Sequence, residues 1–175
     1  MFVIDDGGVG QLPQEFVIDE AVPEPATVPH LLHSGVDRWG NEEFLLHDGA
    51  ALTWREVERR SAGLAKGLLS LGTTKGSRIG ILMPNSSDWI VAFLAVTRIG
   101  ALVSPLSTFQ QSHELHRALA FADIQILLCR DRFLAHDYRE HLEQIAGLSR
   151  HTGHELFLPT HPHLRHIVVW GDSDR

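Results

Sequence analysis

Apolar and polar residues over positions 52–107 follow the order helix, strand, helix, strand. After Thr53 the apolar residues recur at helical spacing, which predicts an amphipathic helix that ends at Leu71. The continuous apolar run at 79–83 is typical of a central parallel strand buried on both faces. The next helix, predicted over 88–99, is apolar nearly all round, so we expect protein to cover it on more than one side.

The same alternation continues on both sides of this stretch. Strands that alternate with helices predict an α/β fold, with a doubly wound, mostly parallel sheet and flanking helices. The remaining predicted elements are a helix capped by Thr27, a hairpin around Asp48-Gly49, a strand at 101–105, a helix capped by Ser112 that carries Leu115, Leu119 and Ala122, a strand at 124–129, a helix capped by Asp131 that runs to about Ile145, a loop at 147–165 and a strand at 166–170.

The start of the first long helix carries a specific signal. Thr53 and Glu56 have the spacing of a capping box, in which the threonine hydroxyl accepts the amide of Glu56 and the glutamate carboxylate accepts the amide of Thr53. Ahead of this region, residues 1–26 are acidic and broken by glycine and proline. They are therefore predicted to be a flexible leader, and residues 27–175 an α/β domain.

Composition excludes several classes of function. The 175 residues carry a formal charge of −7, whereas binding of nucleic acid needs a basic face, so we expect no nucleic-acid partner. One cysteine cannot form a disulfide within the chain or a cysteine-based zinc site, which indicates a reducing compartment. No lysine or arginine precedes Arg38, and the longest apolar run, Trp89 to Val96, is too short to cross a bilayer. We expect a soluble, cytoplasmic protein.

The loop from Gly72 to Ser77 combines glycines, hydroxyls and Lys75, as a phosphate-binding loop does. It leaves a helix and enters a strand, however, so it lies at the amino end of that strand. Ligands of open α/β sheets bind outside the carboxyl ends, and no helix start follows the loop to present its amides. A structural turn is the favoured interpretation. The loops at 84–86 and 105–108 follow strands and are better placed for a ligand, but we assign them no role.

Histidines and the single cysteine are the other candidates for chemistry. A metal site needs three or four converging ligands, and nothing in the sequence brings the histidines together, so they are predicted to be solvated surface residues. Cys129 lies within an apolar strand and is predicted to be a core residue. The histidines considered for a metal site are His113, His116, His151, His154, His161, His163 and His166.

Over residues 27–171, the order and spacing of several short motifs resemble the opening segment of the adenylate-forming (AMP-binding) ligase superfamily, and acyl-CoA synthetases in particular. The turn at 103–107 favours a CoA ligase over an amino-acid-adenylating domain, where an aromatic-Val-Pro-Ile-Asp pattern is usual. The motifs are Leu52-Thr53-Trp54, Leu71-Gly72, Lys75-Gly76-Ser77-Arg78, Met83-Pro84-Asn85-Ser86, Ala92-Phe93-Leu94-Ala95 and Gly100-Ala101-Leu102-Val103-Ser104-Pro105-Leu106.

The resemblance implies that the chain is the N-terminal part of an ATP-dependent acid–CoA ligase, and that 27–175 is an incomplete family domain. The full enzyme would use ATP, Mg²⁺ and CoA on a small carboxylic acid. The ATP loop and the other catalytic motifs of that family have no counterpart here, and neither Lys66 nor Lys75 matches its functional lysines. No catalytic, cofactor-binding or metal-binding residue is therefore assigned, and the chain alone is expected to bind no cofactor and to be inactive.

Two further expectations accompany this interpretation. The alternative function is a stand-alone flavodoxin-like module that binds a nucleotide or a protein partner. The chain past Arg175 discriminates between the two, because a ligase would continue into a Ser/Thr/Gly-rich loop that ends in lysine. Trp89 and Phe93 lie on the helix without a polar face, so we also expect self-association through exposed apolar surface.

Overall fold

The structure is a computed structural model that describes residues 27–150 and 155–171. The leader predicted over residues 1–26 lies outside the described residues. The helices are α1 (Val28–Trp39), α2 (Trp54–Ser70), α3 (Ser87–Arg98), α4 (Ser112–Phe121) and α5 (Tyr138–Ala146). The strands are β1 (Glu43–His47), β2 (Ala50–Thr53), β3 (Arg78–Leu82), β4 (Leu102–Pro105), β5 (Ile126–Arg130), β6 (Arg132–Phe133), β7 (His136–Asp137) and β8 (His166–Trp170).

Four strands form one parallel sheet in the order β4-β3-β5-β8. Its two central strands are β3 and β5; Ile79 of β3 pairs with Val103 of β4 on one side and with Ile126 of β5 on the other. The hairpins β1–β2 and β6–β7 are separate antiparallel pairs. The predicted doubly wound, mostly parallel sheet with flanking helices is confirmed.

Alternate residues of β5 enter different cores because successive side chains of a strand point to opposite faces. Ile126 and Leu128 pack with α2 and α3 on one face. Leu127 and Cys129 pack with α4 and α5 on the other. Both faces of the sheet are thus covered by helices, which explains why the central strands are continuously apolar.

Helix α3 has no exposed residue. Its buried residues include Val91 and Leu94, which join Leu32 of α1 and Val57 of α2 in a third apolar cluster. An ion pair between Arg98 and Glu58 also joins α3 to α2. The expectation that protein covers α3 on more than one side is confirmed, and the cover comes from α1, α2 and the first hairpin.

Local signals in the first half of the chain are confirmed. Asp48 and Gly49 form the turn between β1 and β2 with positive φ angles of 50° and 76°. The capping box is present: the Thr53 amide donates to Glu56 Oε2 at 2.9 Å, and the Glu56 amide donates to Thr53 Oγ1 at 3.2 Å. Hydrogen bonding to Thr53 lowers the pKa of the Glu56 carboxyl.

The prediction of a helix that begins at Asp131 is wrong. Residues 132–137 form the β6–β7 hairpin, whose turn places Leu134 at a φ of 53°. Helix α5 begins only at Tyr138, where Asp137 Oδ1 accepts the amide of Glu140 at 3.1 Å. Asp137 and not Asp131 caps this helix, because the β6–β7 hairpin occupies the residues between them.

The cap predicted for α4 is displaced by one residue. The N-cap is Gln111, whose amide donates to Glu114 Oε2 at 2.9 Å. Ser112 is the first helical residue, and its hydroxyl donates to Gln144 Oε1 of α5 at 2.9 Å. Ser112 therefore joins two helices and does not cap one. Leu115 and Leu119 are buried as predicted.

Candidate functional site

The loop at 72–77 lies at the amino end of β3. It is therefore at the opposite edge of the sheet from the carboxyl ends of the strands, where ligands usually bind. Its amides are used within the protein: Thr74 donates to Ser77 Oγ at 3.0 Å and Gly76 donates to the carbonyl of Gly100 at 2.9 Å. The amides of residues 72, 73 and 77 also donate to backbone carbonyls. These amides are not available to a phosphate group, which supports a structural turn.

His161 departs from the prediction of a solvated surface residue, because it is only 2% exposed. Its ring contacts the ring of His116 edge-on with centroids 4.5 Å apart. Nε2 lies 3.2 Å from the carbonyl of His116, and Nδ1 lies 3.1 Å from Thr160 Oγ1. Burial lowers the pKa of His161. No periodic pattern in the sequence indicates this burial, because His161 lies in an irregular loop.

No group of three or more metal-ligating side chains comes together within residues 27–150 and 155–171. His151 and His154 lie outside the described residues. Cys129 is buried in β5, where burial, with a smaller contribution from Asp131, raises its pKa to about 12. A thiol that stays protonated at neutral pH is a poor nucleophile, so Cys129 is a core residue.

A cleft of about 460 Å³ opens at the carboxyl edge of the sheet. It is built from the segments that follow three strands: residues 83–85 after β3, residues 105–109 after β4, and Phe133 after β5. Trp89, from the first turn of α3, completes one wall. From the sequence, the loops at 84–86 and 105–108 are better placed for a ligand than the loop at 72–77 but are assigned no role, and Phe133 is not considered for a ligand site.

A hydrogen bond and an ion pair hold the walls of this cleft in place. The Tyr138 hydroxyl donates to the carbonyl of Thr108 at 2.6 Å, so the start of α5 holds the loop that follows β4. Tyr138 is 1% exposed, and burial raises its pKa. Arg130 at the end of β5 lies 3.6 Å from Asp88 in the first turn of α3. The cleft therefore has a fixed frame, although its rim lies on loops.

Within the described residues, no helix combines the length and the apolar composition needed to cross a bilayer.

Some known proteins resemble this chain in sequence, and some solved structures resemble it in fold. The chain is 32% identical over 136 residues to 4-coumarate–CoA ligase 5 of Oryza sativa subsp. japonica. The aligned region covers 73% of this chain and 25% of that protein. The chain is 31% identical over 121 residues to the human mitochondrial medium-chain acyl-CoA ligase ACSF2, covering 68% of this chain and 20% of that protein. The chain thus spans a fifth to a quarter of these relatives.

The fold is also that of solved adenylate-forming enzymes. The anthranilate CoA ligase AuaEII, determined in complex with anthranoyl-AMP, superposes with a TM-score of 0.69 at 21% identity and covers 82% of this chain and 25% of that one. The model of the AMP-binding enzyme family matches residues 32–169. The resemblance to adenylate-forming ligases is confirmed, and the chain belongs to the AMP-binding enzyme family.

Proposed function

We propose that this chain is the N-terminal part of an ATP-dependent acid–CoA ligase. The observation that carries the proposal is the match to the AMP-binding family over residues 32–169, together with relatives that are named as acid–CoA ligases. Carboxylic acids attached to aromatic or medium-length aliphatic groups are the substrate class that those names suggest. The cytoplasm is the proposed compartment, because a chain with one buried cysteine and no internal disulfide suits a reducing environment.

The proposed reaction has two steps. The substrate carboxylate attacks the α-phosphorus of ATP, forms acyl-AMP and releases pyrophosphate. The thiol of CoA then attacks the acyl carbon, loses its proton, and releases AMP as acyl-CoA forms. Adenylation is needed because a carboxylate is a poor electrophile, whereas AMP is a good leaving group.

The residues described here do not fit ATP or Mg²⁺. The loop at 72–77 uses its amides internally, and no group of three potential metal ligands is found in the part of the chain that the structure describes. Phosphate transfer needs donors and a cation aimed at the phosphate oxygens. This segment would therefore contribute a folded sheet and the frame of the carboxyl edge, and other segments of the enzyme would hold the nucleotide.

ATP–pyrophosphate exchange tests the proposal. The 175-residue chain should give background exchange with a panel of aryl and fatty acids. The same segment joined to the sequence that follows Arg175 in its gene should give exchange that depends on the acid. Exchange by the chain alone that is abolished by Lys75→Ala would show that the loop at 72–77 binds phosphate after all. A longer product without exchange on any acid would contradict the ligase proposal.

One observation keeps the flavodoxin-like alternative as a second candidate. The strand order β4-β3-β5-β8 corresponds to 2-1-3-4, which begins the order of flavodoxin-like sheets. A module of this kind would bind its ligand without the rest of a ligase. A stop codon directly after Arg175 in the natural gene, with no exchange activity in any longer transcript, would favour it.

A further inference from the structure

The cleft at the carboxyl edge lies where the sheet changes its direction of winding. From β3 the chain passes through α3 on one face to reach β4, and it then crosses through α4 on the other face to reach β5. The segments that follow β3 and β5 therefore leave toward opposite faces. Open α/β sheets bind ligands in the crevice that this divergence creates, outside the carboxyl ends of the strands.

Three aromatic side chains line this crevice: Trp89, Phe109 and Phe133. The Trp89 ring stacks on Phe93 with centroids 5.6 Å apart and planes inclined by 8°, which holds the indole plane in one orientation. Phe109 is 67% exposed at the rim, so most of its surface is open to solvent or to a ligand. Aromatic rings that line a crevice favour a flat ligand, because offset stacking adds attraction to the burial of apolar area.

The polar groups of the crevice are uncharged. Asn85, Ser107 and Thr108 contribute hydrogen-bonding groups, and none of the described residues that line the crevice carries a formal charge. The charged side chains on the framing elements are paired with one another: Arg130 Nη1 lies 3.6 Å from Asp88 Oδ2, and Arg132 Nη2 lies 2.8 Å from Asp137 Oδ2. A charged ligand would lose hydration against lining groups that carry no opposite charge, which costs more than the transfer of a neutral amide.

Asn85 is the best placed of these groups to recognise a ligand. It is exposed and makes no hydrogen bond with another described residue, and its carboxamide offers one acceptor and two donor positions. It follows β3 directly, next to Trp89 in the crevice wall. An amide group on the edge of a planar ring could pair with it while the ring stacks on the aromatic walls.

We propose that this crevice binds an uncharged, planar aromatic compound that carries a primary amide or an equivalent donor–acceptor edge. Its volume of about 460 Å³ falls within the range of small-molecule sites. This binding would be a property of the chain itself and does not depend on the ligase proposal. Its failure would leave the exchange assay unaffected.

The test is an NMR titration of the isotope-labelled 175-residue chain with three matched probes: benzamide, benzoate and cyclohexanecarboxamide. The indole N–H signal of Trp89, identified among the four tryptophans by Trp89→Phe, reports occupancy. Benzamide should shift this signal saturably and bind about tenfold more tightly than either other probe. Benzoate is planar but charged, and cyclohexanecarboxamide is neutral but its ring is not planar. Benzoate binding as tightly as benzamide, or no saturable shift up to the solubility limit, would overturn the proposal.

Two variants at exposed positions locate the binding. Asn85→Ala and Phe109→Ala should each weaken benzamide about fivefold, with no loss of folding. Phe121→Ala removes an equally large ring that is 94% exposed at the end of α4, outside the crevice, and should change nothing. An unchanged benzamide affinity in both crevice variants would contradict the assignment even if binding occurs.

Discussion

Replacing Gly35 by alanine provides the sharpest test of how α1 docks on the rest of the domain. A Cβ atom at this position would lie 2.2 Å from Cζ3 and 2.4 Å from Cε3 of Trp54. The indole cannot retreat freely, because it stacks on Phe44 with centroids 3.9 Å apart and contacts Trp39 at 5.7 Å. Either α1 or the indole must therefore move, and both movements break apolar contacts.

The magnitude follows from two opposing effects. Overpacking of this kind costs about 1–3 kcal/mol. Alanine in place of glycine within a helix recovers about 1 kcal/mol through helix propensity. We expect Gly35→Ala to lower the free energy of unfolding by about 1 kcal/mol or somewhat more. The matched control is Gly63→Ala in α2, where a Cβ would meet nothing within 4 Å. This control should raise the free energy of unfolding by about 1 kcal/mol.

Urea unfolding followed by far-ultraviolet circular dichroism measures both variants, because this signal does not depend on the environment of Trp54. With a typical slope of about 2 kcal/mol per molar urea, each variant should move the midpoint by about 0.5 M, in opposite directions. A midpoint for Gly35→Ala at or above that of the original chain would refute the close contact between α1 and Trp54. Shifts of the same sign in both variants would show that propensity alone governs these positions.

Three further predictions concern a helix cap, a buried histidine and the sheet edges. Thr53→Ala should lower the free energy of unfolding by about 1 kcal/mol in urea melts, while Ser70→Ala at the other end of α2 should leave it nearly unchanged. Burial lowers the folded-state pKa of His161 below its usual 6.5, so the unfolded chain takes up the proton first. The free energy of unfolding should therefore fall as the pH drops below about 6.5. Urea melts at several pH values should show that His161→Gln makes the free energy of unfolding less dependent on pH. Analytical ultracentrifugation should show that the chain self-associates, and Val169→Lys on β8 should weaken this association more than Leu102→Lys on β4 does. A clean monomer at high concentration would contradict the predicted self-association.

Sequence patterns predicted the elements whose signals are local or periodic. The runs that became β3 and β5 were recognisable because both faces of the sheet are covered, and the capping box needs only two residues at fixed spacing. The β6–β7 hairpin escaped prediction because its turn depends on a positive φ at Leu134, a bulky residue that rarely adopts that conformation. The hairpin is held by the pairing of Arg132 with Asp137 and of Phe133 with His136, and no local sequence pattern reports this pairing.

The same limit applies to the candidate site. All three of its segments follow strands that the sequence predicted, and the loops at 84–86 and 105–108 could be placed at the carboxyl edge because they come directly after their strands. The third wall depends on Phe133, which reaches the crevice only because the hairpin replaces a helix there. The bond from Tyr138 to the carbonyl of Thr108 joins residues 30 positions apart, a separation over which spacing carries no signal.

The location of exposed apolar surface also follows from tertiary structure. Helix α3 is the most apolar of the described helices, yet α1, α2 and the first hairpin leave none of its residues exposed. Within the described residues, β4 and β8 each pair on one side only. Pro105 removes a donor from β4, whereas β8 contains no proline and carries Val169 at 37% exposure. The edge at β8 is therefore better able to accept another strand, from a second copy or from further segments of the proposed ligase, than the apolar helix that the sequence pattern suggested.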